Sequence, residues 1–151
     1  MKKLLIDTTK QPKIPDGWTI ESHNTSLGKI DPTKIELYWD DEQKNGKHIE
    51  GNKLLEKLKD KPVLNATVFD WLLENPKYIP EDWKGKYVYF WGTIFRGPGG
   101  CRYTLFLYFS SVGSWFWDCF WLDDGRGVFG PSAVLVSISS KKSKSLTPIS
   151  K

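Results

Sequence analysis

Apolar positions follow one period before residue 86 and another after it. In the stretch KLLEKLKDK, which follows Gly51-Asn52, Leu54, Leu55 and Leu58 fall on one helical stripe and lysines fill the rest. That spacing predicts a short amphipathic helix ending before Pro62. LNATVFDWLLENP predicts a second helix. Asn65 suits the N-cap, Leu64 and Phe69 have the spacing of a hydrophobic staple, and Pro76 stops the run. Ala66, Phe69, Leu72 and Leu73 form its apolar stripe. In KYIPEDWKGK, Pro80 followed by Glu81 and Asp82 predicts one more helical turn, closed by Gly85.

From Lys86 onward the period is two, which predicts strands over 86–96, 101–111 and 115–122. GPGG (97–100) and Val112-Gly113-Ser114 are the turns between them. DDGRG (123–127) turns again, and a last strand is expected over 133–139, with Pro131 at its edge-compatible start. Residues 8–34 are rich in Thr, Pro, Gly, Asn and Ser and read as loop with short extended pieces. IELYW (35–39) fits either a strand or the first turn of a helix. The expected fold class is therefore α+β, with short N-terminal helices packed on a C-terminal three- to four-stranded antiparallel meander. It forms one domain over 1–139, loop-rich over 1–34, helical over 35–85 and sheet over 86–139. A basic mobile tail is expected over 140–151.

Strict alternation assigns the two sheet faces. Val88, Phe90, Gly92 and Ile94 share one face of the first strand, and Tyr87, Tyr89, Trp91, Thr93 and Phe95 share the other. Both faces are apolar, whereas an antiparallel sheet wetted on one side alternates apolar with charged residues. Something must cover the second face: the chain's own N-terminal segment, a second copy, or a ligand. Left bare, so large an aromatic area favours aggregation.

Composition narrows the chemistry. A chain of 151 residues with 39% hydrophobic and 15% aromatic content is long enough and apolar enough for one self-sufficient core. Its formal net charge of +4 equals that of the four lysines in 139–151, so the body is near neutral and lacks a phosphate-tracking stripe. Only three apolar residues follow the lysines of MKKLLIDTTK, and no apolar run reaches the roughly 20 residues of a membrane span, so a cytoplasmic protein with no membrane partner is expected. Two cysteines, Cys101 and Cys119, fit buried free thiols or a cross-strand disulfide, and two histidines cannot complete the common zinc patterns. No metal site, cofactor or catalytic residue is assigned.

Three chemistries remain open. Tyr89, Trp91, Phe106 and Tyr108, with Arg96 and Arg102 at the rim, form a candidate binding platform. Tyr, Trp and Arg are the usual hot-spot types, and the neutral body favours a protein partner or a homodimer over nucleic acid. On that reading the protein is a small non-enzymatic binding protein, and Trp91→Ala weakens association while sparing the fold. The alternatives are single-stranded nucleic-acid binding by stacking on the same rings, and metal-dependent hydrolysis by Asp118, Asp123 and Asp124. WKGK (83–86) could hold a small anion, but it also reads as a capped turn with two solvated lysines.

The chain also resembles a family of short hypothetical bacterial proteins. The family pattern is an LNA-x-V-x-D-x-LL helix, then P-x-x-IP-E-x-WKGK, FWGTI, a tryptophan-rich strand and a closing Pro-Ala-Ala-like strand. Here Leu64, Asn65, Ala66, Val68, Asp70, Leu72, Leu73, Pro76, Ile79, Pro80, Glu81, residues 83–86 and residues 90–94 match it, within a span of about 35–137. The closing strand reads Pro131-Ser132-Ala133 instead. The resemblance implies an intracellular bacterial or phage-associated protein, and no activity, cofactor or catalytic residue.

Overall fold

In the computed structural model, residues 4–128 and 130–136 are described. Among them, eight strands form two sheets, and two α-helices accompany them. Strands β1 (Ile6–Asp7) and β3 (Lys29–Ile30) make a small antiparallel ribbon. The main sheet runs in the order β4 (Ile35–Tyr38), β8 (Ser132–Leu135), β5 (Val88–Arg96), β6 (Arg102–Phe109), β7 (Trp115–Trp121), with β2 (Thr19–His23) also paired to β5. It is mixed, because β8 meets β5 in parallel at Tyr89↔Ser132.

This corrects the expected fold class. The molecule is mostly β, not a set of N-terminal helices on a three- to four-stranded meander. β5, β6 and β7 do follow one another antiparallel, but β8 returns to the far side of β5 and pairs there with β4. The loop-rich N-terminal third supplies strands, including β2, which extends the sheet beside the second half of β5. Strands of two to five residues carry too few positions to show a period. The expected last strand is present as β8, starting one residue earlier, and residues 137–151, which include the rest of that strand's expected span and the basic tail, lie outside the described residues.

β5 is split by an irregularity. Its partners jump from Phe90↔Leu105 to Phe95↔Tyr103, so residues 91–94 face Thr104 alone. The odd number of extra residues reverses the alternation. Ile94 therefore joins Tyr89 and Trp91 in one core, while Phe95 joins Val88 and Phe90 in the other, a correction to strict alternation. Residues 62–65 occupy the gap: the Gly92 N–H donates to the Leu64 carbonyl at 2.9 Å and the Leu64 N–H donates to the Ala133 carbonyl at 3.0 Å. Gly92 is required there, since a Cβ would lie 2.8 Å from the Asn65 backbone.

Each face of the sheet has its own core. On the first, α2 (Ala66–Glu74) lays Ala66, Val68, Phe69 and Leu72 against Val88, Phe90, Leu105 and Leu107, with Trp83, Ile79 and the β1–β3 ribbon beside them. α2 starts where its sequence says: the Asn65 side chain accepts from the Thr67 and Val68 N–H groups. On the second face, α1 (Gly51–Lys57) brings Leu54, and residues after it bring Leu58 and Val63, against Tyr89, Trp91 and Ile94. Ile49 and Val128 close that core through a two-way backbone bridge. α1 sits close to the end of β7 because Gly51 has no Cβ; one there would lie 2.6 Å from the Leu122 carbonyl oxygen.

Candidate functional site

The expected platform is taken apart by this second core. Tyr89 and Trp91 are 3% and 2% exposed, packed with Leu54 of α1 and with Ile49, Leu58, Leu122 and Val128. They are core side chains, not part of an open face. Burial above all pushes the Tyr89 phenol up, so it stays neutral. Arg96 and Arg102 do not rim a binding face either. Both hold Glu21 of β2, with Arg96 Nε 2.8 Å from Oε1 and Arg102 Nη2 3.0 Å from Oε2. Arg102 Nη1 also donates to Asn52 Oδ1 at 3.0 Å, clipping α1 to the sheet. Phe106 and Tyr108 are half-buried and remain near the surface.

Each of the three aspartates has its own local partner. Asp118 accepts from the Cys119 N–H, Asp123 accepts from the Asn52 amide, and Asp124 is held by Arg126 through two guanidinium contacts. Those Arg126 hydrogen bonds hold the Asp124 carboxyl below its usual range. Among the described residues no group of three His, Cys, Asp or Glu is placed to share a metal ion. At WKGK, Lys84 pairs with Glu81 at 2.7 Å and covers the Phe109 ring, and Lys86 Nζ donates to the Asp82 carbonyl. Both lysines are thus committed to the turn. Cys101 and Cys119 are free, the first exposed and the second half-buried. Burial first, then the Asp118 carboxylate, pushes the Cys119 thiol up, which keeps it protonated and poorly nucleophilic.

Among the described residues, the end strand richest in exposed rings is β7, WFWDCFW. Among the described strands it pairs with β6 alone and forms one end of the sheet order. Phe116, Trp117 and Trp121 are 43%, 47% and 43% exposed. Its free backbone groups follow from register. Ser110 donates to the Ser114 carbonyl and Leu122 donates to the Arg102 carbonyl, which fixes the even-numbered residues of β7 as those bonded to β6. Trp115, Trp117, Cys119 and Trp121 therefore turn their N–H and C=O groups outward. The Cys119 N–H meets the Asp118 carboxylate at 2.7 Å, as an outward group would.

Three cavities open along this strand. One of about 560 Å³ lies at its start, beside Trp115, Phe109 and Lys84. One of about 230 Å³ lies on the α2 side, between Phe69, Leu73, Leu105 and Trp117. Its wall includes Asp70, which accepts from the Lys13 N–H at 2.8 Å and whose carboxyl is raised by burial. A third, of about 390 Å³, lies on the opposite face between Tyr87, Phe106, Asp118 and Phe120. Phe106 and Tyr108 carry aromatic contact from β7 inward, through Tyr108–Phe116 at 6.1 Å and Tyr87–Phe106 at 5.4 Å.

The period of two in the sequence marks β7 as a strand but does not mark it as a candidate site. Its one signal was the lack of a polar parity: aromatic rings stand on both faces of WFWDCFW, which suits a strand that other residues cover. No family model, curated protein or solved structure matches this chain.

Proposed function

We propose that this chain is a non-enzymatic binding protein that receives an extended segment of another protein along the free edge of β7. The observation that carries this reading is the coincidence, on one strand, of outward-facing backbone groups, exposed indole and phenyl rings, and flanking cavities. An open edge supplies main-chain hydrogen bonds, and pockets on both faces supply side-chain selection, which is how strand addition works. Natural sheets normally blunt such edges with charge, proline or a covering element. This one carries a single charged residue, Asp118, in seven positions.

No helix among the described residues is long and apolar enough to cross a membrane. A cytoplasmic setting is part of this proposal. The resemblance to short bacterial hypothetical proteins brings no activity with it and adds nothing to the choice of partner.

Trp117→Pro tests the reading. Proline at 117 removes an outward N–H and leaves the β6–β7 bonds intact, since those use even-numbered residues. Peptides selected from a random library against the wild-type protein should alternate β-branched and polar residues. They should lose about tenfold or more in affinity for Trp117→Pro, with the melting temperature of the variant near that of the wild type. Selected peptides that bind the proline variant equally well contradict strand addition.

A further inference from the structure

We infer that the incoming strand presents a cationic side chain opposite Asp118 and seats it in the aromatic cavity beside that residue. The inference rests on strand addition at β7 and names the chemistry of the partner. Asp118 is even-numbered, so a residue added opposite it sits in a non-hydrogen-bonded pair, the arrangement that brings side chains closest. Its side chain emerges on the same face as Phe106, Phe120 and Tyr89, which wall the 390 Å³ cavity. The walls are ring faces and edges: Tyr89 meets Phe106 at 5.1 Å and stands at 88° to Phe120 at 5.8 Å. Aromatic walls around an acid are the surroundings that favour an ammonium or guanidinium group.

The two acids of the cavity differ. Asp124 already carries Arg126 on both oxygens. Among the described residues, Asp118 accepts from a backbone N–H alone, that of Cys119. An added strand replaces that contact with its own carbonyl, because Cys119 is one of the outward-facing residues. The carboxylate, exposed in the free protein, is then released at the mouth of the aromatic cavity, where a cation opposite pairs with it and an acidic residue is repelled. Asp118 thus guards the edge in the free protein and selects the partner in the bound one.

The same geometry disfavours a second copy. Antiparallel self-pairing over the whole of β7 sets Asp118 against Asp118 in the close pair, and like charges directly opposite are destabilising. A cationic segment of a different protein is the occupant that the charge pattern fits.

The test uses blocked heptapeptides of alternating threonine and valine with lysine, norleucine or glutamate at the centre. They are titrated into the full-length protein and followed by amide and ring NMR shifts, with tetramethylammonium as a separate probe. The expected order is lysine, norleucine, glutamate, with about tenfold between the first and the last. In Asp118→Asn, which keeps the acceptor for the Cys119 N–H, that preference should collapse to about onefold. Tetramethylammonium should shift the Phe106 and Phe120 ring signals of the wild type and not those of the variant. Equal binding of the three peptides, with no tetramethylammonium response, overturns the cation site and leaves strand addition standing. A tetramethylammonium response with no peptide binding supports the cation site and overturns strand addition. No response to any probe overturns both.

Discussion

Trp91 stacks on Tyr89 with ring centroids 6.1 Å apart, and its indole Nε1 finds no hydrogen-bond partner in the second core. A residue placed so has a stability role, and the substitution expected from sequence to spare the fold will not spare it. Trp91→Ala should cost about 3–5 kcal/mol, the range for emptying a buried aromatic site. Trp91→Phe should fall within about 1 kcal/mol of the wild type, because the lost volume is offset by removal of an unpaired buried N–H. Urea unfolding of both variants checks this pair. A stable Trp91→Ala protein would mean that the second face is open after all. Trp91 also marks where alternation stops being a guide. Up to it, odd and even positions in β5 tell the faces apart; past Gly92 the parity is reversed, and only the crossing of residues 62–65 explains why.

Elements differ in how much of them could be read from sequence. α2 was legible because its determinants are local: a cap at Asn65, a stripe at 66, 69, 72 and 73, and a stop at Pro76. β5, β6 and β7 were legible for the same reason. The parallel contact of β8, its pairing with β4 and the edge position of β7 were not, since each depends on which distant strand fills a place beside β5. Asn65 itself does more than cap. Its amide donates to the Thr8 carbonyl at 3.0 Å and the Asn24 carbonyl at 2.8 Å, tying the N-terminal segment to α2. His23 belongs to the same knot. Its Nδ1 lies 2.7 Å from the Thr93 hydroxyl oxygen and its Nε2 3.2 Å from the Lys10 carbonyl oxygen. Asn65→Ala should therefore cost about 2–4 kcal/mol, a cap together with two stranded carbonyls. Chemical denaturation measures it; a loss no larger than that of an ordinary cap would show that the N-terminal segment is held by other means.

Among the described residues, one sheet is packed on both faces, and β7, at one end of its strand order, pairs with β6 alone. That arrangement reconciles a two-sided aromatic sequence with a near-neutral body: the rings of β5 fill two cores, and those of β7 remain at the surface. On the proposed reading, binding belongs to the rim of the sheet and not to either face. Backbone amide exchange followed residue by residue in the free, full-length protein tests this most directly. The account predicts slow exchange through β5 and β6, and an alternating pattern in β7. Phe116, Asp118 and Phe120 should be protected, and Trp115, Trp117 and Trp121 should exchange about a hundredfold faster. Cys119 should be intermediate, because its N–H meets the Asp118 side chain. Uniform protection of Trp115, Trp117 and Trp121 at the level of β6 would show that the edge is already covered, and would contradict the account.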